Sequence, residues 1–179
     1  MTYAIRAATV DDVPELHALI ESAYRGASAR GGWTHEADLL DGQRSDVAML
    51  TGAITAPDRV ILVAADDSAL IGCCELARLT GGGAYLGLLT VAPARQGDGL
   101  GKALMQAAER EARSRFAATR IEMTVIRQRD ALITYYARRG YLPTGEVRPF
   151  PYGDTRFGVP RRDDLAFVVL EKPLSQSAV

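Results

Sequence analysis

Three glycines within six residues, set between an apolar β-run and a long one-sided helix, narrow most what this chain can become. Residues 84–91 have the apolar composition of a strand, Gln96-Gly97-Asp98-Gly99-Leu100-Gly101 follows, and Leu100, Ala103, Leu104, Ala107, Ala108 and Ala112 then keep one helical face apolar to about Phe116. A helix start leaves about four backbone N–H groups unpaired and carries about half a positive charge. Glycine lets the backbone approach a ligand closely and adopt positive φ. Strand, glycine turn and helix start together make an anion site suited to a phosphate or pyrophosphate. Hydrogen bonds to charged groups are worth about 1.5–3 kcal/mol each, so about three or four donors supply most of a micromolar affinity. Thr80-Gly81-Gly82-Gly83 is also glycine-rich, but no helix follows it, and it reads as a plain loop.

Around this segment the chain reads as one domain over residues 1–174 with a flexible tail over 175–179. Residues 5–9 form a first strand. A capping-box start at Thr9 with Pro14 in the first turn then opens a helix over 12–25, its apolar face marked by Leu16, Leu19, Ile20 and Tyr24. Residues 27–32 are small and flexible, and 33–54 hold a second helix or two short ones. Residues 60–65, 70–78 and 84–91 form a three-stranded antiparallel meander. After the helix over 100–116 come a strand over 120–125, a helix over 130–139 stopped by Gly140, a segment opening at Tyr141, an aromatic loop over 148–163 and a last strand over 165–170. The fold class is mixed α/β (α+β), a mostly antiparallel sheet of about six or seven strands flanked by about four helices.

Composition excludes several functions. The longest apolar run, residues 60–65, is far short of the ~18 residues of a membrane span, and the first residues lack the pattern of a secretory signal. A net charge of −1 and a pI near 6.1 argue against a nucleic-acid partner held by phosphate contacts. Lysine occurs only at Lys102 and Lys172, and arginine pairs such as Arg138-Arg139 and Arg161-Arg162 read as solvated faces. Cys73 and Cys74 are neighbours and would point to opposite faces of a strand, so no disulfide joins them and the cytoplasm is the default location.

Spacing separates three phosphate cradles. A Walker A loop, G-x-x-x-x-G-K-S/T, ending on Gly101-Lys102 would need glycine at Gln96 and a hydroxyl at Ala103. A dinucleotide fingerprint starting at Gly97 would need glycine at Lys102. The third pattern, Q/R-x-x-G-x-G/A, fits Gln96 to Gly101 at every fixed position. With Leu88-Leu89-Thr90-Val91-Ala92-Pro93 before it, Lys102-Ala103-Leu104 after it, and the block Ala131-Leu132-Ile133-Thr134-Tyr135-Tyr136-Ala137-Arg138-Arg139-Gly140-Tyr141, the chain resembles the GNAT superfamily of acetyl-CoA-dependent N-acetyltransferases. The likeness covers about residues 60–145 directly and, by element order, nearly the whole chain.

The resemblance implies the GNAT fold and direct transfer of an acetyl group from acetyl-CoA to a primary amine in a ternary complex, with no metal. Leu89 and Val91 would pair through their backbones with the pantetheine arm, Thr90 pointing the other way, and the Leu89 N–H would polarise the thioester carbonyl. Gly97, Asp98, Gly99, Leu100, Gly101 and Lys102 would wrap the pyrophosphate, mostly by main-chain N–H, with Gln96 ordering the turn. Tyr136, four residues before Gly140, would protonate the leaving thiolate. Two positions depart from the family pattern. Arg129 stands where an asparagine often contacts the pantetheine, and could instead reach a phosphate. Tyr85 stands where some members carry a glutamate base, which leaves Glu75, Glu122, Glu36 and His35 as candidates for taking the amine proton.

The acceptor, a small-molecule or peptide amine, would meet the first helical pair and the late loop, Trp33-Thr34-His35-Glu36 and Phe150-Pro151-Tyr152-Gly153-Asp154. Trp33, Glu36, Glu75 and Phe150 are its candidate contacts, since aromatic rings and carboxylates suit an ammonium group. Against this, Trp33 and Phe150 could simply cap the core. Dimers are common among relatives, so a homodimer is an expectation too. Two other readings compete: a non-catalytic acetyl-CoA-binding sensor of the same fold, and a nucleotide-binding oxidoreductase or NTPase.

Overall fold

Strands β3 (Arg59–Ala65), β4 (Leu70–Leu79) and β5 (Gly83–Val91) form the expected meander, in a computed structural model that describes residues 2–175. The expected tail falls mainly on residues 176–179, outside the described residues. The meander is the middle of a seven-stranded sheet completed by β1 (Ala4–Ala7), β6 (Arg120–Ile126), β7 (Leu142–Pro149) and β9 (Ala166–Pro173), in the order β1-β3-β4-β5-β6-β9-β7. A separate pair joins β2 (Leu40–Asp41) to β8 (Val159–Pro160). Within the large sheet only β5 and β6 run parallel, and they pair over a short stretch, Gly83–Tyr85 against Arg120–Glu122. Beyond that stretch the two strands part, and the wedge between them opens toward the glycine turn.

Among the described residues five α-helices cover the faces: α1 (Val13–Tyr24), α2 (Gly26–Ala29), α3 (Val47–Thr55), α4 (Leu100–Phe116) and α5 (Asp130–Ala137). Strand alternation sorts the core. Ile61 and Val63 face Leu16, Ile20 and Leu50 of α1 and α3, whereas Val60, Leu62 and Ala64 join the cluster under α4 and α5. Cys73 and Cys74 are divided between the same two clusters, both buried and free. Gly72 lets α4 lie close, because a Cβ there would come within 2.9 Å of both Leu104 Cδ1 and the Thr90 carbonyl oxygen.

Several boundaries differ from the expectation for local reasons. The first strand ends at Ala7 because Thr9 already serves the helix start: its N–H donates to Asp12 Oδ2 at 2.7 Å, and the Arg6 guanidinium grips both Asp12 oxygens at 2.7 Å each. Between residues 33 and 54 there is one helix, α3, capped by Asp46, whose Oδ1 accepts from Met49 N–H at 2.7 Å. The extra helix, α2, lies where small, flexible residues were expected. Strand β7 carries Pro143 and Pro149, which an edge position tolerates because no ladder donor is needed there.

The Arg6 fork, opposed by burial, holds the Asp12 carboxyl down to about 2. A depressed folded value stabilises above the unfolded value of about 3.9, and that contribution is lost as pH falls through the folded one. Asp12→Asn should therefore remove about 1 kcal/mol of the stability lost between about pH 4 and pH 2, discounted for the exposed Arg6 partner. Urea unfolding of both proteins at stepped pH measures the difference.

Candidate active site

The wedge is shaped by one extra residue. Thr90 lies opposite Cys73 and Gly87 opposite Glu75, so β5 carries one residue more than β4 across this step. Leu88 takes up the bulge at φ +49, a left-handed conformation uncommon for a residue with a side chain. Its carbonyl accepts from Thr90 Oγ1 at 2.8 Å and from Cys73 Sγ at 3.6 Å. The next carbonyl, that of Leu89, accepts from the Tyr24 hydroxyl at 2.9 Å. Burial pushes the Tyr24 hydroxyl up to about 12, so it stays protonated and donates. Helix α1 thereby pins the bulge from the side.

Leu89, Thr90 and Val91 border a cavity of about 350 Å³ that continues over Gln96, Gly97, Gly99 and Gly101. Gly97 and Gly99 adopt φ +97 and +80, which favour glycine, and no side chain caps the start of α4. The first amides of the helix are therefore free for an anion. Gln96 bridges two segments at the turn: its Oε1 accepts from Trp33 N–H at 2.8 Å and its Nε2 donates to the Val91 carbonyl at 3.3 Å. The Leu100 side chain is in the core, so only its backbone is available. Asp98 and Lys102 are exposed and stand off the cavity lining.

Arg138 and Arg139, read from sequence as a solvated pair, both border this cavity. The Arg139 guanidinium lies 3.5 Å above the Tyr135 ring, and Nη1 donates to the Tyr135 carbonyl at 2.7 Å. Periodicity alone cannot distinguish an arginine facing water from one facing a cleft.

A second cavity, about 170 Å³, fills the wedge between β5 and β6 and shares Tyr24, Leu89, Arg129, Leu132 and Tyr136 with the first. The two cavities meet at the bulge. Tyr136 is 7% exposed, and among the described residues its hydroxyl has no hydrogen-bond partner. Burial pushes its pKa up, so it remains a neutral phenol. Tyr85 and Thr124 share a 2.7 Å hydrogen bond across the second cavity's wall.

Arg129 borders both cavities and is engaged within the protein. Its Nη1 contacts Glu36 Oε1 at 3.1 Å and its Nη2 donates to Thr34 Oγ1 at 2.6 Å, while Glu36 Oε2 accepts from Arg25 at 2.8 Å. Burial alone would raise the Glu36 pKa, but Arg129, Arg44 and Arg25 outweigh it and hold the carboxyl below its ordinary value. Trp33 and His35 border the first cavity and Glu36 the second.

The other candidates lie elsewhere. Glu75, 3.2 Å from Arg59, and Glu122, bonded to Arg148 at 2.9 Å, border neither cavity. Phe150 is buried in a satellite cluster with Leu40, Ile126 and Leu165, as its core-capping reading has it, and Phe167, stacked on it, is the ring that borders the wedge. No group of three or more His, Cys, Asp or Glu side chains placed to hold a metal ion occurs among the described residues.

Residues 14–141 match the sequence model of the acetyltransferase (GNAT) family. The chain belongs to that family. Among curated proteins no single sequence matches it significantly, but solved GNAT-type structures do. The ribosomal-protein-S18-alanine N-acetyltransferase from Escherichia coli superposes with a TM-score of 0.71 at 15% identity, covering 99% of this chain and 97% of that one. The yncA protein of Salmonella typhimurium, solved with its cofactor acetyl-CoA, gives 0.71 at 18% identity over 100% and 98%. Nourseothricin acetyltransferase gives 0.67 at 19% identity over 98% and 100%. At these identities the likeness is one of fold, and the acceptors named in the first and third differ in kind.

The Glu36 hub makes a direct prediction. Among the described residues Arg25 Nε and Nη2 are buried without partners, and Glu36 is the carboxylate paired with both Arg25 and Arg129. Glu36→Ala should cost about 3 kcal/mol by leaving two guanidinium groups uncompensated, read from chemical denaturation.

Proposed function

We propose that this GNAT protein transfers the acetyl group of acetyl-CoA directly to a primary amine of a small molecule, amino-acid derivative or peptide, both substrates being bound at once. The observation that carries the reading is the meeting of two cavities at the Leu89 bulge and Tyr136. A cavity floored by uncapped helix amides and left-handed glycines suits the diphosphate end of the coenzyme, and its 350 Å³ falls within the usual size of a small-molecule site. When bound, the coenzyme supplies an activated thioester. The amides of Gly97, Gly99, Leu100 and Gly101 would hold its diphosphate, and the β5 backbone at Leu89 and Val91 would align its arm.

The chain's own groups then divide the work. The Leu89 N–H, fixed by the bulge and by Tyr24 on the adjoining carbonyl, would face the charge that builds on the thioester oxygen. Tyr136 would keep its proton in the desolvated junction until the departing sulfur takes it. Glu36 is tied to Arg25 and Arg129, which leaves it a poor base. With Glu75 and Glu122 off both cavities and His35 on the coenzyme's cavity rather than the wedge, the amine is expected to enter as the free base. A cytoplasmic location goes with this reading, since two buried free thiols suit a reducing compartment.

Calorimetry with acetyl-CoA and a thiol-release assay over an amine panel test the proposal together. Uptake without release above background would make the protein a sensor of the same fold, and no uptake would overturn both readings. Tyr136→Phe should lower turnover by about 100-fold or more while acetyl-CoA affinity changes less than about twofold. With the wild-type protein, kcat/KM should rise with pH up to the pKa of each acceptor's own amine and shift when the acceptor is changed. A limb at one pH for every acceptor would place the base on the protein.

A further inference from the structure

Arg44 is the one guanidinium bordering the wedge cavity that has neither a hydrogen bond nor an ion pair from its side chain among the described residues. Its backbone is nevertheless firmly placed. Glu21 Oε1 accepts from the N–H of Arg44 and of Ser45, both at 2.8 Å, and from Ser45 Oγ at 3.2 Å, while His17 Nδ1 lies 2.9 Å from the same hydroxyl. The side chain rests on the Tyr24 ring, 5.2 Å from its centroid. Tyr24 is also the residue whose hydroxyl holds the Leu89 carbonyl. A single phenol thus spans the distance from the proposed reaction centre to a cation with no ion-pair partner among the described residues.

The carboxylates whose charge reaches Arg44 are Glu36 and Glu75. The first is shared by Arg25 and Arg129, and the second is paired with Arg59. The cavity end therefore carries more positive than negative charge, in a space partly closed to water. A guanidinium offers five donors in a planar fork that matches a carboxylate in two parallel hydrogen bonds. Holding it on a fixed backbone reduces the ordering cost of using it.

We infer that the acceptor is a small amine bearing a carboxylate, an amino acid or close derivative, and that Arg44 binds the carboxylate while the amine faces Leu89 and Tyr136. The inference rests on the acetyltransferase reading and narrows it. A volume of about 170 Å³ is below the range of larger ligand sites and suits a molecule of this size. Arg44 acts here as a specificity residue with no part in the bond changes.

Thiol release is measured for the common L-amino acids, each beside its carboxamide and its decarboxylated amine, after calorimetry has established acetyl-CoA uptake. The carboxamide has the less basic amine and more free base at neutral pH, so the chemistry of the amine works against the expected order. Preferred amino acids should exceed their carboxamide counterparts in kcat/KM by about 10- to 100-fold, chiefly through KM. Arg44→Gln should bring them down to the level of those counterparts without altering acetyl-CoA affinity, and Arg44→Lys should restore part of the difference. Equal use of carboxylates and carboxamides, or an equal loss on both in a folded Arg44→Gln protein, overturns the inference and leaves the acetyltransferase standing. Failure of acetyl-CoA to bind overturns the acetyltransferase reading, and this inference with it.

Discussion

The structure turns on a mismatch of one residue between two neighbouring strands. Because β5 carries an additional residue between Gly87 and Thr90, its backbone turns left-handed at Leu88. The bulge bends β5 away from β6 just after their short parallel contact ends at Tyr85 and Glu122. Everything distinctive about the molecule lies in the gap that results. A continuous sheet here would leave α4 lying on an unbroken surface, and the glycine turn would have nothing to feed. The bulge is also held from three directions: by Thr90 and Cys73 on the Leu88 carbonyl, by Tyr24 on that of Leu89, and by α4 settling over Gly72. A strained φ persists only when its surroundings fix it in this way.

Charge is arranged with similar economy of partners. Arginine supplies nearly all the basic side chains, and several are drawn inward. Glu36 lies between Arg25 and Arg129 and so ties the segment after α2 to the start of α5. Such a group contributes little net stability compared with apolar packing, since desolvation of three charges offsets much of their attraction. What it provides is position: with Thr34 bonded to Arg129, the neighbouring Trp33 and His35 are carried to the rim of the first cavity. Gln96 completes the arrangement from the other side by joining Trp33 to the end of β5.

Local signals made much of this visible in the sequence. The meander, α4 and its glycine start, and the helix bearing Tyr136 are each specified by periodicity and by glycine spacing within about twenty residues, which is where such signals are strongest. Of the residues that carry the family resemblance, Leu89, Thr90, Val91, Gln96, Gly97, Gly99, Gly101 and Tyr136 border the joined cavities. The segment from Trp33 to Asp46 was opaque because long-range contacts shape it: Leu40–Asp41 finds its strand partner in Val159–Pro160, and Arg161 reaches back to Asp41. Arg44 and Arg139 have no local pattern that marks them as facing a cleft. Phe150 and Phe167 could not be told apart by composition; only the register of β9 decides which ring is enclosed and which is presented. Arg129 departs visibly from the family pattern, but its partners, Glu36 and Thr34, lie more than ninety positions away and no spacing rule connects them.

The parting of β5 and β6 also affects how the protein responds to whatever occupies it. From Leu86 onward the side of β5 turned toward β6 presents main-chain donors and acceptors with no neighbouring strand in the ladder. An extended, amide-bearing molecule laid along that margin would serve as a surrogate strand and complete the sheet. Ligand occupancy and folding are then two sides of one equilibrium: at a hundredfold excess over the dissociation constant, mass action alone adds about 2.7 kcal/mol to the folded state.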